Sequence, residues 1–259
     1  MNNKISNIAI AATFDNISKK YDLLNHWLSF GQDILWRKKV TQYIPVRANL
    51  KLLDMATGTA DQLIALVKKC KNIDLAIGID IARNMLDIAK NKIVKLNIND
   101  KVTLINENIN HLSFKNNSID IITISFGIRN STDMQNTLSE IYRVLKPSGI
   151  LIILEFSIPR NRFIRKIYLF YFRYILPKIG SLVSGDSDAY YYLNQSVEKF
   201  PYGINFVTIL EKAGFINIQE RLLHFGIATI YCAEEGRKHS LHSPAETKSK
   251  YSKKVKSFK

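Results

Sequence analysis

The chain has 259 residues, of which 46% are hydrophobic and 23% charged. Those proportions exclude a mainly disordered polymer and fit one large domain or two small ones. Lys and Arg number 37 against 22 Asp and Glu, a formal charge of +15, so an anionic partner or surface has to be weighed. No apolar run approaches the roughly 20 residues of a membrane span. The run at 8–12 is too short for a signal peptide core. A cytoplasmic protein is expected, at most peripheral on the inner face of the cell membrane. Cys70 and Cys232 lack CxxC spacing and read as small buried apolar residues. The five histidines form no coherent ligand set, so no metal is expected.

In chain order, residues 14–44 read as a helical cap carrying Trp27, Leu28, Ile34, Leu35 and Trp36. The apolar run 50–56 reads as a buried strand, 61–70 as a helix, 75–80 as a strand and 82–96 as a longer helix. Strands at 101–106 and 118–126 follow, then a helix over 134–145 that stops at the turn signal Lys146-Pro147-Ser148-Gly149, then a strand at 149–157. Strands separated by helices pair in parallel through right-handed crossovers. Residues 160–200, rich in aromatics and bases, read as a helical insertion over one sheet edge. A helix at 204–213 and strands at 215–223 and 227–233 complete the pattern, the last two as an antiparallel hairpin. The fold expected is therefore α/β: a doubly wound, mostly parallel, seven-stranded sheet within one domain over 1–235. Residues 236–259 carry eight Lys/Arg and one Glu and read as a basic, disordered tail.

Ligands of such a sheet bind at the carboxyl ends of the strands. The first strand ends in Asp54-Met55-Ala56-Thr57-Gly58-Thr59-Ala60-Asp61, where Gly58 permits a tight turn and close ligand approach. Asp80 closes the second strand, 22 residues after Gly58, near the spacing of an acid that grips ribose hydroxyls. A dinucleotide loop needs three glycines for its pyrophosphate, whereas this loop has one glycine and places the acid Asp61 where the helix begins. An acid there repels phosphate and tolerates the cationic S-adenosylmethionine (SAM), so SAM is favoured over NAD. Asp61 alone is equally explained as an acid at a helix N-terminus. After the third strand, Asn108 and Ile109 suit a purine edge and face, although an asparagine there is also an ordinary turn residue.

Four segments then resemble one family, the ubiquinone/menaquinone C-methyltransferases. They are Tyr21-Asp22-Leu23-Leu24-Asn25-His26-Trp27-Leu28-Ser29-Phe30-Gly31 with Leu35-Trp36; Ile122-Thr123-Ile124-Ser125-Phe126-Gly127-Ile128-Arg129-Asn130; Tyr142-Arg143-Val144-Leu145-Lys146-Pro147-Ser148-Gly149 with Leu154-Glu155-Phe156-Ser157; and Leu176-Pro177-Lys178-Ile179-Gly180-Ser181-Leu182-Val183 with Asp186 and Asp188-Ala189-Tyr190-Tyr191-Tyr192-Leu193. The departures are Leu24, Asp33, Ser148 and Ala60, standing where the family has Met, His, Gly and Gly. The resemblance implies a Rossmann-like, class I SAM-dependent methyltransferase. It places SAM contacts on Thr59, Asp80, Asn108, Ile109 and Ser125, beside the Gly58 turn.

The substrate the resemblance implies is a lipid-tailed quinol. Demethylmenaquinol is preferred, with 2-methoxy-6-polyprenyl-benzoquinol as the alternative. A quinol with a pKa near ~10 needs a base or a stabilised anion before its ring carbon attacks a methyl group. Arg129 is the candidate electrostatic stabiliser and Asn130 the candidate hydroxyl ligand; for Arg129 the competing reading is a salt bridge. For His26, capping or packing is preferred to catalysis. Residues 160–178 hold six Lys/Arg, no acid and six interleaved aromatics, suiting transient contact with an anionic membrane surface or a lid whose aromatics are core. A nucleic-acid methyltransferase competes on charge, but the turn after the fourth strand lacks the Pro-Pro-aromatic pattern of base-amine methylation, so no nucleic-acid partner is expected. A non-catalytic scaffold rests on Ala60 alone. The sequence carries no signal for oligomeric state; a homodimer is compatible with it.

Overall fold

A computed structural model describes residues 31–175 and 194–237, together with Asp15, Ser18 and Ser29. Most of the 14–30 segment with His26, the Leu176–Leu193 motif and the basic tail beyond Arg237 lie outside the described residues. The strands are β1 (Leu50–Met55), β2 (Ile73–Asp80), β3 (Val102–Asn106), β4 (Ile119–Ser125), β5 (Leu145–Phe156), β6 (Phe215–Leu223) and β7 (Ala228–Glu235). They form one seven-stranded sheet of order β3-β2-β1-β4-β5-β7-β6. β3 through β5 pair in parallel, and β7 runs antiparallel to both β5 and β6. The hairpin therefore inserts its second strand next to the parallel block, leaving β6 on the edge.

The helices whose full range is described are α1 (Gln32–Val40), α2 (Asp61–Lys69), α3 (Arg83–Lys95), α4 (Met134–Val144), α5 (Arg162–Phe170) and α6 (Ile204–Lys212). Alternating side chains point to opposite faces of a strand, so a fully buried strand needs two cores. Leu52, Ile121 and Ile152 pack with Trp36 and Val40 of α1, Leu63 and Leu66 of α2, and Ala89 and Ile93 of α3. Their neighbours Leu53, Ile122 and Ile153 pack on the opposite face with Leu138 and Ile141 of α4 and Phe206 and Leu210 of α6.

Three boundaries differ from the sequence-based expectation. The cap helix does not run unbroken to residue 44: Gly31 is left-handed (φ 71°), α1 starts after it, and a 3-10 turn follows at Thr41–Tyr43. β5 starts at Leu145, four residues before the expected strand, and absorbs the turn signal as an irregular stretch, with Ser148 at φ 60°. Leu145 already pairs with Ile119, so the irregularity lies inside the ladder. In the insertion, α5 passes into a π-helical turn at Tyr171–Ile175. Asp33, one of the departures from the family pattern, is buried and accepts a 2.6 Å hydrogen bond from the Ser29 hydroxyl.

The ends of β1 and β4 meet at the point where strand order reverses, and Gly127 makes that approach possible. A Cβ on Gly127 would lie 2.5 Å from the Cβ of Ala56. Gly127→Ala is therefore expected to lower stability by about 1–3 kcal/mol, measured as a lower urea midpoint. An unchanged midpoint would show that the two loops have room to separate.

Candidate functional site

The cleft opens at the carboxyl ends of β1, β2 and β4, where an α/β sheet of this order binds ligands. It is lined by Gly58, Asp80, Ile81, Met85, Asn108, Ile109, Asn110 and Ser125, with Ala56, Phe126, Gly127, Asn130 and Ser131 closing its sides. Asp80 is the best-anchored polar group. One carboxylate oxygen accepts the Gly58 N–H (2.8 Å) and the other accepts the Ala82 N–H (2.9 Å). Burial pushes its pKa up, and those two N–H groups oppose the rise. A carboxylate oxygen has more than one acceptor position, so each keeps capacity for a ribose hydroxyl.

The sequence brings Gly58 to Asp80 through a left-handed turn, with Gly58 at φ 55°. Ala56, Ala60 and Phe126 also take positive φ (51°, 68° and 58°), so backbone strain gathers around this cleft. Asp54, at the end of β1, accepts hydrogen bonds from the hydroxyls of Thr57 (2.7 Å) and Thr123 (2.5 Å). Burial raises its pKa from 3.8 to about 6, and Thr123, Thr57 and the Arg37 charge oppose the rise.

Of the residues singled out from sequence, Gly58, Asp80, Asn108, Ile109, Ser125 and Asn130 line the cleft. Thr59 does not; it is buried, and its hydroxyl accepts from Lys92 Nζ at 3.0 Å. Lys92 Nζ also lies 2.7 Å from Asp61, so the acid at the start of α2 faces an ammonium from α3. Asn108 accepts the Asn110 N–H (2.9 Å) through Oδ1, a turn contact that leaves its amide NH2 group available. Ser125 donates to Gln62 Oε1 at 3.1 Å. Arg129 is absent from the cleft lining: Nη1 lies 2.7 Å from Glu155 Oε1, both side chains are buried, and its guanidinium sits 5.4 Å over the Phe156 ring.

Sequence reasoning missed Ile81, Met85 and Glu155. The first two follow Asp80 closely in the chain, but their apolar character gave no reason to separate them from core. Glu155 was legible as a carboxylate inside an apolar run, yet its partner is 26 residues away. Among the described residues no group of His, Cys, Asp and Glu could hold a metal ion.

The cleft's chemistry fits an adenosine ligand with a cationic tail. Asp80 suits the ribose diol, Ile81, Met85 and Ile109 offer apolar faces for a purine, and the buried carboxyl of Asp54 lies beneath the loop. The loop carries one glycine, Gly58, where a dinucleotide loop uses three to bring backbone N–H groups to a pyrophosphate. Comparison with known proteins agrees. The chain matches the ubiE/COQ5 methyltransferase family over residues 2–235. It belongs to that family.

A protein named demethylmenaquinone methyltransferase from Bacteroides fragilis is 39% identical over 220 residues, covering 85% of this chain and 89% of that one. One of the same name from Staphylococcus aureus is 38% identical over 229 residues, covering 88% and 94%. Among solved structures, a SAM-dependent methyltransferase from Aquifex aeolicus superposes with a TM-score of 0.56 at 20% identity, over 76% of this chain and 88% of that one. A possible histamine N-methyltransferase from Thermotoga maritima gives 0.59 at 17%, over 86% and 98%. Those two likenesses support the shared fold. This chain is a methyltransferase, and SAM is its methyl donor.

Two predictions follow from the strained loop and its buried acid. A carboxyl whose folded pKa exceeds its unfolded value stabilises the fold fully below the unfolded value and loses that contribution as pH rises through the folded one. For Asp54 the contribution is about 3 kcal/mol, lost between 3.8 and about 6. A cationic donor favours the ionised carboxyl, so SAM should raise the thermal midpoint more at pH ~7.5 than at pH ~5. Asp54→Asn should reduce that difference, the raised pKa of Asp80 keeping the remainder; equal midpoint shifts for the unmutated protein at both pH values would contradict it. Ala60→Gly should add up to about 1 kcal/mol in urea denaturation, because a left-handed conformation strains alanine and not glycine.

Proposed function

We propose that this methyltransferase transfers the SAM methyl group to a ring carbon of a lipid-tailed quinol, demethylmenaquinol, giving menaquinol. The observation that carries this is the extent of its match to proteins named demethylmenaquinone methyltransferase, at 38–39% identity along 85–88% of the chain. SAM supplies an electrophilic methyl group. The ring carbon forms the new C–C bond as the S–CH3 bond breaks, and the ring proton is lost to restore aromaticity.

The chain's own residues hold and orient. Asp80 fixes the donor through its ribose, and Asn108 and Ile109 take the purine. Asn130, on the cleft wall, holds a quinol hydroxyl so that the neighbouring ring carbon meets the methyl group in line; such positioning supplies much of the catalysis. Arg129 acts differently from a bare cation. Glu155 matches its charge in a buried pair, so its influence on the quinol comes through directed N–H groups.

The insertion suits a substrate that resides in a bilayer. Phe163, Ile167, Phe170 and Tyr174 recur at helical spacing along α5 and the following turn, and each is more than half exposed. Arg162 and Lys166 flank that stripe and are exposed too, while Arg173 beside it is paired with Glu198 at 2.7 Å. An exposed apolar stripe edged by bases favours an anionic bilayer surface. No helix among the described residues is long and apolar enough to cross a membrane.

Labelled SAM incubated with reduced demethylmenaquinone should place label in the naphthoquinol. Label found only in a polyprenyl methoxybenzoquinol would move the substrate to the benzoquinol series, and label in neither would overturn the proposal. Phe163→Glu should weaken co-sedimentation with anionic vesicles at low salt, while SAM affinity stays unchanged. Absence of vesicle binding by the unmutated protein would remove the membrane contact.

A further inference from the structure

The interface between the insertion and the sheet contains three buried side-chain atoms with no hydrogen-bond partner: Arg129 Nε, Tyr168 Oη and Asn194 Oδ1. An unsatisfied buried polar group costs about 1–3 kcal/mol, so three in one region call for an explanation. Their side chains are linked through one aromatic cluster. Arg129 lies over the Phe156 ring, and Phe156 packs against the cluster of Tyr168, Phe172 and Val197. Tyr168 stacks on Phe172 with centroids 5.2 Å apart, and Asn194 donates to the Phe172 carbonyl at 2.6 Å.

The region also adjoins open space. Arg129 borders a groove with Met134, Gln195, Lys199, Phe200 and Pro201. On the other side of the Ile128–Asn130 turn, Asn130 and Ser131 line the donor cleft. A single 3-10 turn thus separates the groove from the cleft. Glu155 holds Arg129 in this wall: it accepts Nη1–H at 2.7 Å and the Phe156 N–H at 2.8 Å, while Arg129 also donates to the Phe126 carbonyl. Two directions of the guanidinium are therefore fixed, and Nε–H remains without an acceptor.

We propose that the Tyr168 hydroxyl is a substrate-binding group, forming with Arg129 Nε–H a two-point clamp on one oxygen of the aromatic diol. This rests on the quinol reading above and adds a residue to it. Glu155 is then a positioning residue, because it acts on the substrate only through Arg129. The Tyr168 hydroxyl is suited to donate rather than to serve as a base: burial drives its pKa further up, so it stays protonated. A quinol oxygen accepts from both groups, and both hydrogen bonds strengthen when its own proton passes to solvent water and leaves the phenolate whose ring carbon attacks the methyl group. Asn194 Oδ1, in the same wall, has the polarity to accept the remaining hydroxyl proton.

Tyr168→Phe isolates the hydroxyl, since the ring and its stacking on Phe172 remain. If the hydroxyl binds substrate, kcat/KM for demethylmenaquinol falls about tenfold. SAM affinity is unchanged, and the thermal midpoint of the free protein stays level or rises because an unsatisfied group has been removed. A kcat/KM within twofold of the unmutated protein would overturn the inference and leave an ordered water as the partner of these atoms. A loss matched by equal losses in SAM affinity and thermal midpoint would also overturn it, as a merely structural role. If the unmutated protein methylates no quinol, the functional reading itself fails, a result distinct from both.

Discussion

The site depends on a carboxylate held at the end of a strand by backbone N–H groups. Asp80 takes Gly58 from the first loop and Ala82 from the start of the next helix, and so ties two loops of separate strands to one charged group. Such hydrogen bonds are charge-assisted and stronger than neutral ones. They fix the carboxylate at the edge of the cleft, and they fix the loop that follows β1 against it. Asp54 repeats the arrangement one strand away with hydroxyl donors from Thr57 and Thr123. Two acids in adjacent buried positions are costly, and the Arg37 charge offsets part of that cost at Asp54; a sulfonium donor would offset more.

Backbone strain accompanies that preference. Ala56, Ala60 and Phe126 are held left-handed around one cleft, and strained conformations persist only where the surrounding structure over-determines them. Here the surroundings are the meeting of β1 with β4 and the close approach of Gly127 to Ala56. Ala60 still takes a left-handed turn (φ 68°) that a glycine takes freely, so the cost of alanine there is strain in a turn that forms. The altered turn therefore gives no support to a non-catalytic scaffold.

The parallel half of the fold was legible because buried strands announce themselves as apolar runs bounded by turns; LKLLDM, IDLAIGID and IDIITIS need no long-range information. The position of β7 between β5 and β6 was not legible, since periodicity says that strands exist and nothing about their order. The early start of β5 was hidden because Pro147 and Gly149 signal a turn locally, while pairing of Leu145 with Ile119 overrides them. In the site, Asp80 was legible from spacing to Gly58. Thr59 and Arg129 show the limit of that method: sequence locates a residue in a loop, and the direction of its side chain is set by distant partners, Lys92 for one and Glu155 for the other.

Catalysis in this protein is accordingly a matter of placement. The cleft lies on one side of the Ile128–Asn130 turn, the groove beside Arg129 lies on the other, and the charge of Arg129 is balanced by Glu155 instead of being offered bare. Everything in this arrangement presupposes that Asp80 grips the donor, and calorimetric titration of SAM into the unmutated protein and Asp80→Asn tests that directly. The account predicts saturable binding weakened about 10- to 100-fold by the substitution, the loss expected when a charged acceptor of hydrogen bonds is neutralised. Equal affinity in the two proteins would contradict it.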